Sequence, residues 1–171
     1  MNTTMNKIQS QPKPLNDKWN LYYHLPHNKQ WDLASYKPIA KNIDTAECLI
    51  SLVETISENI VVKCMLFVMR SGITPMWEDK QNRDGGAFSY KVPNANVMLV
   101  WRTLFYSLCG ETLSDKESSE KINGITISPK RSFCIIKIWL KDCSVQDPNI
   151  IVNILNLSKQ GCLFKKHEPE F

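Results

Sequence analysis

Residues 123–140 read NGITISPKRSFCIIKIWL, and the way they fold decides the rest of the molecule. Two runs rich in β-branched residues, NGITIS and SFCIIKIWL, flank the polar break Pro129-Lys130-Arg131. Such runs favour pleated backbone, and a Pro-led polar break between them reads as a reversal of direction. In the second run Cys134, Ile136 and Ile138 alternate with Ile135, Lys137 and Trp139. A period of two puts the first trio on one face of a strand and the second trio on the other. The first face is wholly apolar and reads as core. The second carries a lysine and an indole side by side.

Working outward, WNLYYHL (19–25), IVVKCMLFVMR (60–70), AFSYKV (87–92) and CLFKK (162–166) read as further strands. Three helices are expected between them. Asp44 with Glu47 three residues on has a capping-box pattern, and Leu49, Leu52, Val53 and Ile56 form one stripe as far as about Ser57. Asn94 starts a second helix, with Val97, Trp101, Leu104, Phe105 and Leu108 on its apolar face and Gly110 as its stop. Asp147-Pro148 opens a third, with Ile150, Ile151, Ile154, Leu155 and Leu157 carrying it to Gly161. The pattern predicts an α+β domain, an antiparallel sheet with helices on one face.

Composition limits what this domain does. With 171 residues, 43% hydrophobic and 22% charged, the chain reads as one domain over residues 13–171, preceded by a flexible polar tail at 1–12. The tail has no apolar core of the signal-peptide kind, and the apolar run VVKCMLFVM is too short for a membrane helix and contains Lys63. The six cysteines form no C-x-x-C pair, so reduced thiols in the cytosol or nucleus are expected. The three histidines do not group with cysteines at zinc-ligand spacing. No phosphate-binding loop, nucleophile elbow or metalloprotease motif occurs, so neither metal, cofactor nor catalysis is expected. The net charge of +4 suits an anionic ligand.

The stretch with chemistry in it is GITPMWEDKQNRDGG, residues 72–86, where Trp77 and Glu78 stand together on a loop. Neighbouring side chains diverge on a strand or a helix, so a loop is what aims both into one slot. An isolated Trp-Glu pair is ordinarily a surface loop with a half-buried indole. An ionised carboxylate, however, is an acceptor with two oxygens. Guanine offers two adjacent N–H donors on its Watson–Crick edge, and the indole can stack on the face of the same base. A second indole on the other face completes a sandwich. Methylation at N7 would make the base cationic and add cation–π attraction of about 2 kcal/mol when desolvated.

PMWED, followed by a polar run and Gly85-Gly86, resembles the signature of the translation initiation factor 4E family, which holds the 7-methylguanosine cap of messenger RNA. The resemblance runs along nearly the whole chain in order: KPLNDKW (13–19), Trp31, NIDTAE (42–47), WRTLFYSLCGE (101–111), NGITIS, IKIW (136–139) and FKKH (164–167). It implies a strongly curved antiparallel sheet with three helices on the convex face and the cap slot on the concave face. Trp31 and Trp77 would sandwich the base, Glu78 would accept its N1 and N2 protons, and Trp139 would contact the methyl group. Trp19 and Trp101 are expected in the core. The resemblance also implies a binding protein rather than an enzyme, placed in the cytoplasm and monomeric without its scaffold.

The phosphate and partner sites depart from the family pattern. Lys130 takes the position of the family's phosphate-binding arginine, with Arg131 beside it, while Ile135 occupies the position of its lysine. Lys137, on the same face two residues on, is expected to reach the phosphates instead. On the dorsal side the family receives a partner helix bearing Y-x-x-x-x-L, from scaffold factor 4G or from repressors. Pro14 and Gly110 are retained there, but the anchoring positions read Ala46, Ile50, Arg102 and Tyr106. The common partner is therefore expected to fit poorly: a dedicated or divergent scaffold of factor 4G type is expected, with loss of partner binding as the alternative, and Arg102 asks for an acidic or aromatic partner residue. The sequence ends soon after His167, so the family's longer C-terminal loop and its phosphorylated serine are not expected. Recruitment of capped mRNA for translation is the first reading. A cap-binding repressor that never engages the scaffold is the alternative, and an enzyme acting on capped RNA is a third, for which no nucleophile or acid–base pair stands near Glu78.

Overall fold

A computed structural model describes residues 11–170, so most of the segment expected to be a flexible tail lies outside the described residues. The described residues form seven strands, β1 (Pro14–His24), β2 (Lys37–Thr45), β3 (Met65–Arg70), β4 (Gly86–Pro93), β5 (Ile122–Pro129), β6 (Phe133–Leu140) and β7 (Leu163–Lys166). The helices are α1 (Ala46–Thr55), α2 (Glu58–Lys63), α3 (Asn94–Cys109) and the single turn α4 (Lys116–Ser119). The strands make one curved sheet in the order β2-β1-β3-β5-β6-β4-β7, and every pairing is antiparallel. The β5–β6 hairpin forms as the sequence predicts, with Thr126 opposite Lys137 and Pro129 opposite Cys134.

Alternation decides the two faces. Cys134, Ile136 and Ile138 are fully buried in the main core, together with Leu66 and Val68 of β3, Phe88, Tyr90 and Val92 of β4, and Ile125 and Ile127 of β5. Helix α3 lies on this face and buries Val97, Val100, Trp101, Leu104, Phe105 and Leu108. The other face carries Phe67 and Met69 of β3, Thr126 of β5, Lys137 and Trp139 of β6 and Ala87 of β4. Here Met69, Ile73, Ala87 and Trp139 make a small second cluster. Trp19 and Trp101 are fully buried core residues, as expected.

Three sequence expectations need correction. Residues 60–70 are not one strand, because Glu58–Lys63 is helical before β3 begins at Met65. Strand β2 was missed. It is an edge strand with both faces largely exposed, so it lacks the alternation that marks a half-buried strand. The third helix does not form: a 3₁₀ turn at Pro148–Ile150 is followed by irregular chain. Ile151, Ile154 and Leu157 are buried at helical spacing, yet Leu155 is 74% exposed and Asn156 takes a left-handed φ of 66° that no helix tolerates. At two helix ends the caps shift by one residue. Thr45 caps α1, its hydroxyl accepting from the Cys48 N–H at 3.3 Å, while Asp44 pairs with Lys18 at 3.7 Å. After α3, Gly110 stays right-handed and Glu111 takes the positive φ of 53°.

Candidate functional site

The face of the sheet opposite the helices holds a cavity of about 380 Å³. Its floor comes from β3, β5 and β6, with Phe67, Thr126 and Trp139. Trp139 is 4% exposed, and its Nε1–H donates to the Thr126 hydroxyl at 3.2 Å, which fixes the indole in the floor. Its walls are loops. Trp31 comes from the segment between β1 and β2, Trp77 and Glu78 from the loop between β3 and β4, and Glu168 and Glu170 from the segment after β7. Trp31 and Trp77 are 50% and 36% exposed, so each keeps indole surface open to a ligand.

The Trp77–Glu78 loop is held by buried polar groups. The Asp79 carboxylate accepts from the Thr74 N–H at 2.8 Å, the Thr74 hydroxyl at 2.7 Å and the Gln81 N–H at 2.8 Å. Burial opposes its charge, but these bonds overcome it and hold the carboxyl below its usual range. Asn82 is fully buried. Its amide donates to the Thr74 and Met76 carbonyls at 2.9 and 2.8 Å and accepts from Asn123 Nδ2 at 2.9 Å. The Asn82 carbonyl accepts from His167 Nδ1–H at 2.7 Å, and the His167 ring lies against Trp77 at 5.6 Å with 16° between planes. Burial pushes the His167 imidazole down, so it stays neutral beside the slot. The two glycines that close the loop follow from packing. A Cβ on Gly85 would overlap the Leu140 carbonyl oxygen, and one on Gly86 would sit 2.5 Å from the Phe164 ring.

The electrostatics of the cavity are divided. Glu78 lines it, and one of its oxygens accepts the Glu170 backbone N–H at 3.2 Å. Burial, and secondarily the Glu78 charge, push the Tyr36 phenol up to about 12. The Lys137 ammonium lies 5.7 Å from the Trp77 ring centroid. Burial lowers its pKa, and the nearby charges of Lys165 and Lys130 lower it further. None of the ion pairs among the described residues involves Lys137. A slot with a carboxylate, flat aromatic walls and a half-buried ammonium that forms no ion pair among the described residues suits a flat donor-edged ring attached to an anionic group.

The structure thus brings Trp31, Trp77, Glu78, Trp139 and Lys137 to one cavity. Lys130 and Arg131 are exposed in the β5–β6 turn outside it. Lys130 is near enough to act on Lys137, and Lys165 on β7 does so more strongly. Sequence reasoning missed Asp79, Asn82 and Asn123, which build the loop, and His24, Tyr36, Glu168 and Glu170. The Asp79-x-x-Asn82 spacing beside Trp77 is the one local sign of a polar-stapled loop.

On the opposite side of the molecule, Pro14, Ala46, Ile50 and Gly110 remain at least partly exposed, Ile50 by 52%. Arg102 and Tyr106 do not wait for a partner's carboxylate, as the sequence suggested. Glu54 of α1 pairs with Arg102 at 3.3 Å and accepts the Tyr106 hydroxyl at 2.9 Å.

Residues 14–170 match the family model described as eukaryotic initiation factor 4E. The chain belongs to the eukaryotic initiation factor 4E family. It is 32% identical to eukaryotic translation initiation factor 4E of Eremothecium gossypii over 160 residues, covering 89% of this chain and 69% of that relative. Among solved structures it is similar to schistosome eIF4E complexed with m7GpppA and 4E-BP, with a TM-score of 0.70 and 26% identity, covering 79% of this chain and 75% of the other. C. elegans eIF4E-3 with the 4E-binding protein Mextli and a cap analog is similar at a TM-score of 0.69 and 26% identity, covering 78% and 76%. The chain's curved antiparallel sheet with helices on one face matches the fold of these factor 4E structures.

Proposed function

We propose that this chain binds the 7-methylguanosine 5′ cap of mRNA and recruits capped mRNA for translation initiation. The observation that carries the reading is the meeting of Trp31, Trp77 and Glu78 at one cavity, from loops far apart in sequence. Trp31 and Trp77 stack on the two faces of the methylated base, whose positive charge strengthens both contacts. Glu78 accepts the N1 and N2 protons. Trp139, fixed in the floor, meets the methyl group. Lys137 receives the phosphates, and Lys130, Arg131 and Lys165 add attraction at longer range. The phosphates give the Lys137 ammonium the anionic partner it lacks in the free protein, so its charge contributes more to binding than a solvated lysine would.

The family membership supports a binding protein rather than an enzyme, acting in the cytoplasm as a single domain over residues 13–171. No helix among the described residues is long and apolar enough to cross a membrane. The partner is a helical segment of a dedicated or divergent scaffold protein of the 4G type, received by Pro14, Ala46, Ile50, Arg102, Tyr106 and Gly110. Glu54 has already neutralised Arg102, so this partner helix does not need an acidic residue there. Two experiments test the proposal. Immobilised 7-methylguanosine triphosphate should retain the protein, and the free methylated nucleotide, not GTP, should release it. Expression in cells depleted of their own factor 4E should restore translation of capped messages. Retention without rescue would leave cap binding standing and refute the initiation role.

A further inference from the structure

The last residue of β1, His24, is fully buried, and its ring lies on the Trp31 indole with centroids 4.1 Å apart and only 3° between planes. Its Nε2 is 2.8 Å from the Gln30 carbonyl oxygen. A carbonyl only accepts, so Nε2 carries the proton and donates. His24 therefore grips the loop twice, by the backbone of the residue before Trp31 and by the Trp31 ring itself. The Asn28 N–H bond to the Leu25 carbonyl and the Gln30 N–H bond to the Asn28 side chain are internal to the loop and do not tie it to the sheet. After Trp31, Asp32 caps the next turn by accepting from the Ser35 N–H at 2.9 Å. Tyr36 packs on the same cluster, 5.4 Å from His24 and 6.3 Å from Trp31, and meets Phe67 of the cavity floor edge-on at 5.2 Å.

An exposed tryptophan on a loop samples several rotamers, and stacking a ligand on it requires one of them to be selected. A parallel ring on one face removes that freedom and leaves the other face open. Nδ1 of His24 is buried without a hydrogen-bond partner.

We propose that His24 is the positioning residue for Trp31: a flat ring at the end of β1 that sets the plane of the first stacking wall before the ligand arrives. The inference rests on the cap-binding reading. His24 does not touch the ligand; it acts through Trp31, so its contribution vanishes when Trp31 is removed.

The test is a double-mutant cycle by isothermal titration with 7-methylguanosine triphosphate. His24→Leu keeps apolar bulk but no flat ring, and should lower affinity about three- to tenfold, the worth of one aromatic pair. His24→Phe keeps the ring and should stay within about twofold of wild type. In a Trp31→Ala background, His24→Leu should change nothing. Equal losses from His24→Leu with and without Trp31 would show a general structural role and overturn the proposal, as would wild-type affinity in His24→Leu. Acrylamide quenching of the free protein reads the same claim without ligand. The Trp31-dependent emission should become more accessible in His24→Leu and not in His24→Phe, and no difference would overturn the proposal. A wild-type protein that did not bind the methylated nucleotide would refute the cap reading, while quenching would still decide the role of His24.

Discussion

Replacing Lys137 with methionine should make the free protein more stable and the ligand complex weaker. The side chain lies in the slot, its pKa is lowered first by burial and then by Lys165 and Lys130, and it takes part in none of the ion pairs among the described residues. Methionine keeps the aliphatic stem and removes the charge. Relief of desolvation and like-charge repulsion should stabilise the fold, seen as a rise in Tm. The sign of the pH dependence follows from the direction of the shift. The unfolded chain holds the lysine proton more tightly than the folded one, so the penalty is complete at neutral pH. It fades as pH rises through the lowered value toward the 10.5 of an unperturbed lysine, and the Tm gap between variant and wild type should close over that range. Binding changes the other way. Charge-assisted bonds to phosphate contribute about 1.5–3 kcal/mol, so affinity for 7-methylguanosine triphosphate should fall about ten- to a hundredfold, with a smaller loss for the monophosphate. Differential scanning calorimetry and titration calorimetry on the same preparations supply both numbers. A variant with unchanged Tm and an unchanged dependence on phosphate number would show that Lys137 faces solvent and takes no part in the site.

Other variants probe the remaining parts. Glu78→Gln puts a donor where the guanine edge presents donors, and should weaken binding of the methylated nucleotide by at least the ~2 kcal/mol expected for a buried unpaired group, read by titration. Asn82→Ala removes three buried side-chain hydrogen bonds from the loop; urea denaturation should show a loss of about 2–4 kcal/mol, and the Trp77 emission should become solvent-like. On the dorsal face, a consensus Y-x-x-x-x-L peptide should bind weakly to the wild type, and Arg102→Leu with Ile50→Trp should strengthen it by restoring an apolar groove. Tight binding to the unmodified protein would show that the Glu54–Arg102–Tyr106 cluster already makes an adequate seat.

The parts of the fold legible in the sequence are those where a local pattern and the tertiary packing agree. In 123–140 the alternation of Cys134, Ile136 and Ile138 with Lys137 and Trp139 named both faces of β6, and α3 had a full apolar stripe. Where tertiary packing overrode local preference, the reading failed. Ile60, Val61 and Val62 look like strand by propensity, yet they form α2 because Val61 is buried there while Ile60 stays 40% exposed. Ile151, Ile154 and Leu157 fit a helix by spacing, but irregular chain buries them equally well, and Asn149, Asn153 and Asn156 make that chain easy to form. In the site, Trp31, Trp77, Glu78 and Trp139 were legible because side-chain type carries their chemistry. The groups that hold them, His24, Asn82 and Asn123, were not. Their significance lies in which carbonyls and rings they reach across the sheet, and no spacing within the chain records that.

The central claim is that the slot selects a cationic methylated guanine, and a fluorescence titration of the wild-type protein tests it most directly, with 7-methylguanosine triphosphate and GTP compared at equal ionic strength. The two ligands share phosphates, sugar and Watson–Crick edge, so their difference isolates the charge on the stacked base. Binding of the methylated nucleotide at least about tenfold tighter is the predicted result, with the preference lost in Trp77→Ala. Equal affinity for the two nucleotides would contradict the account.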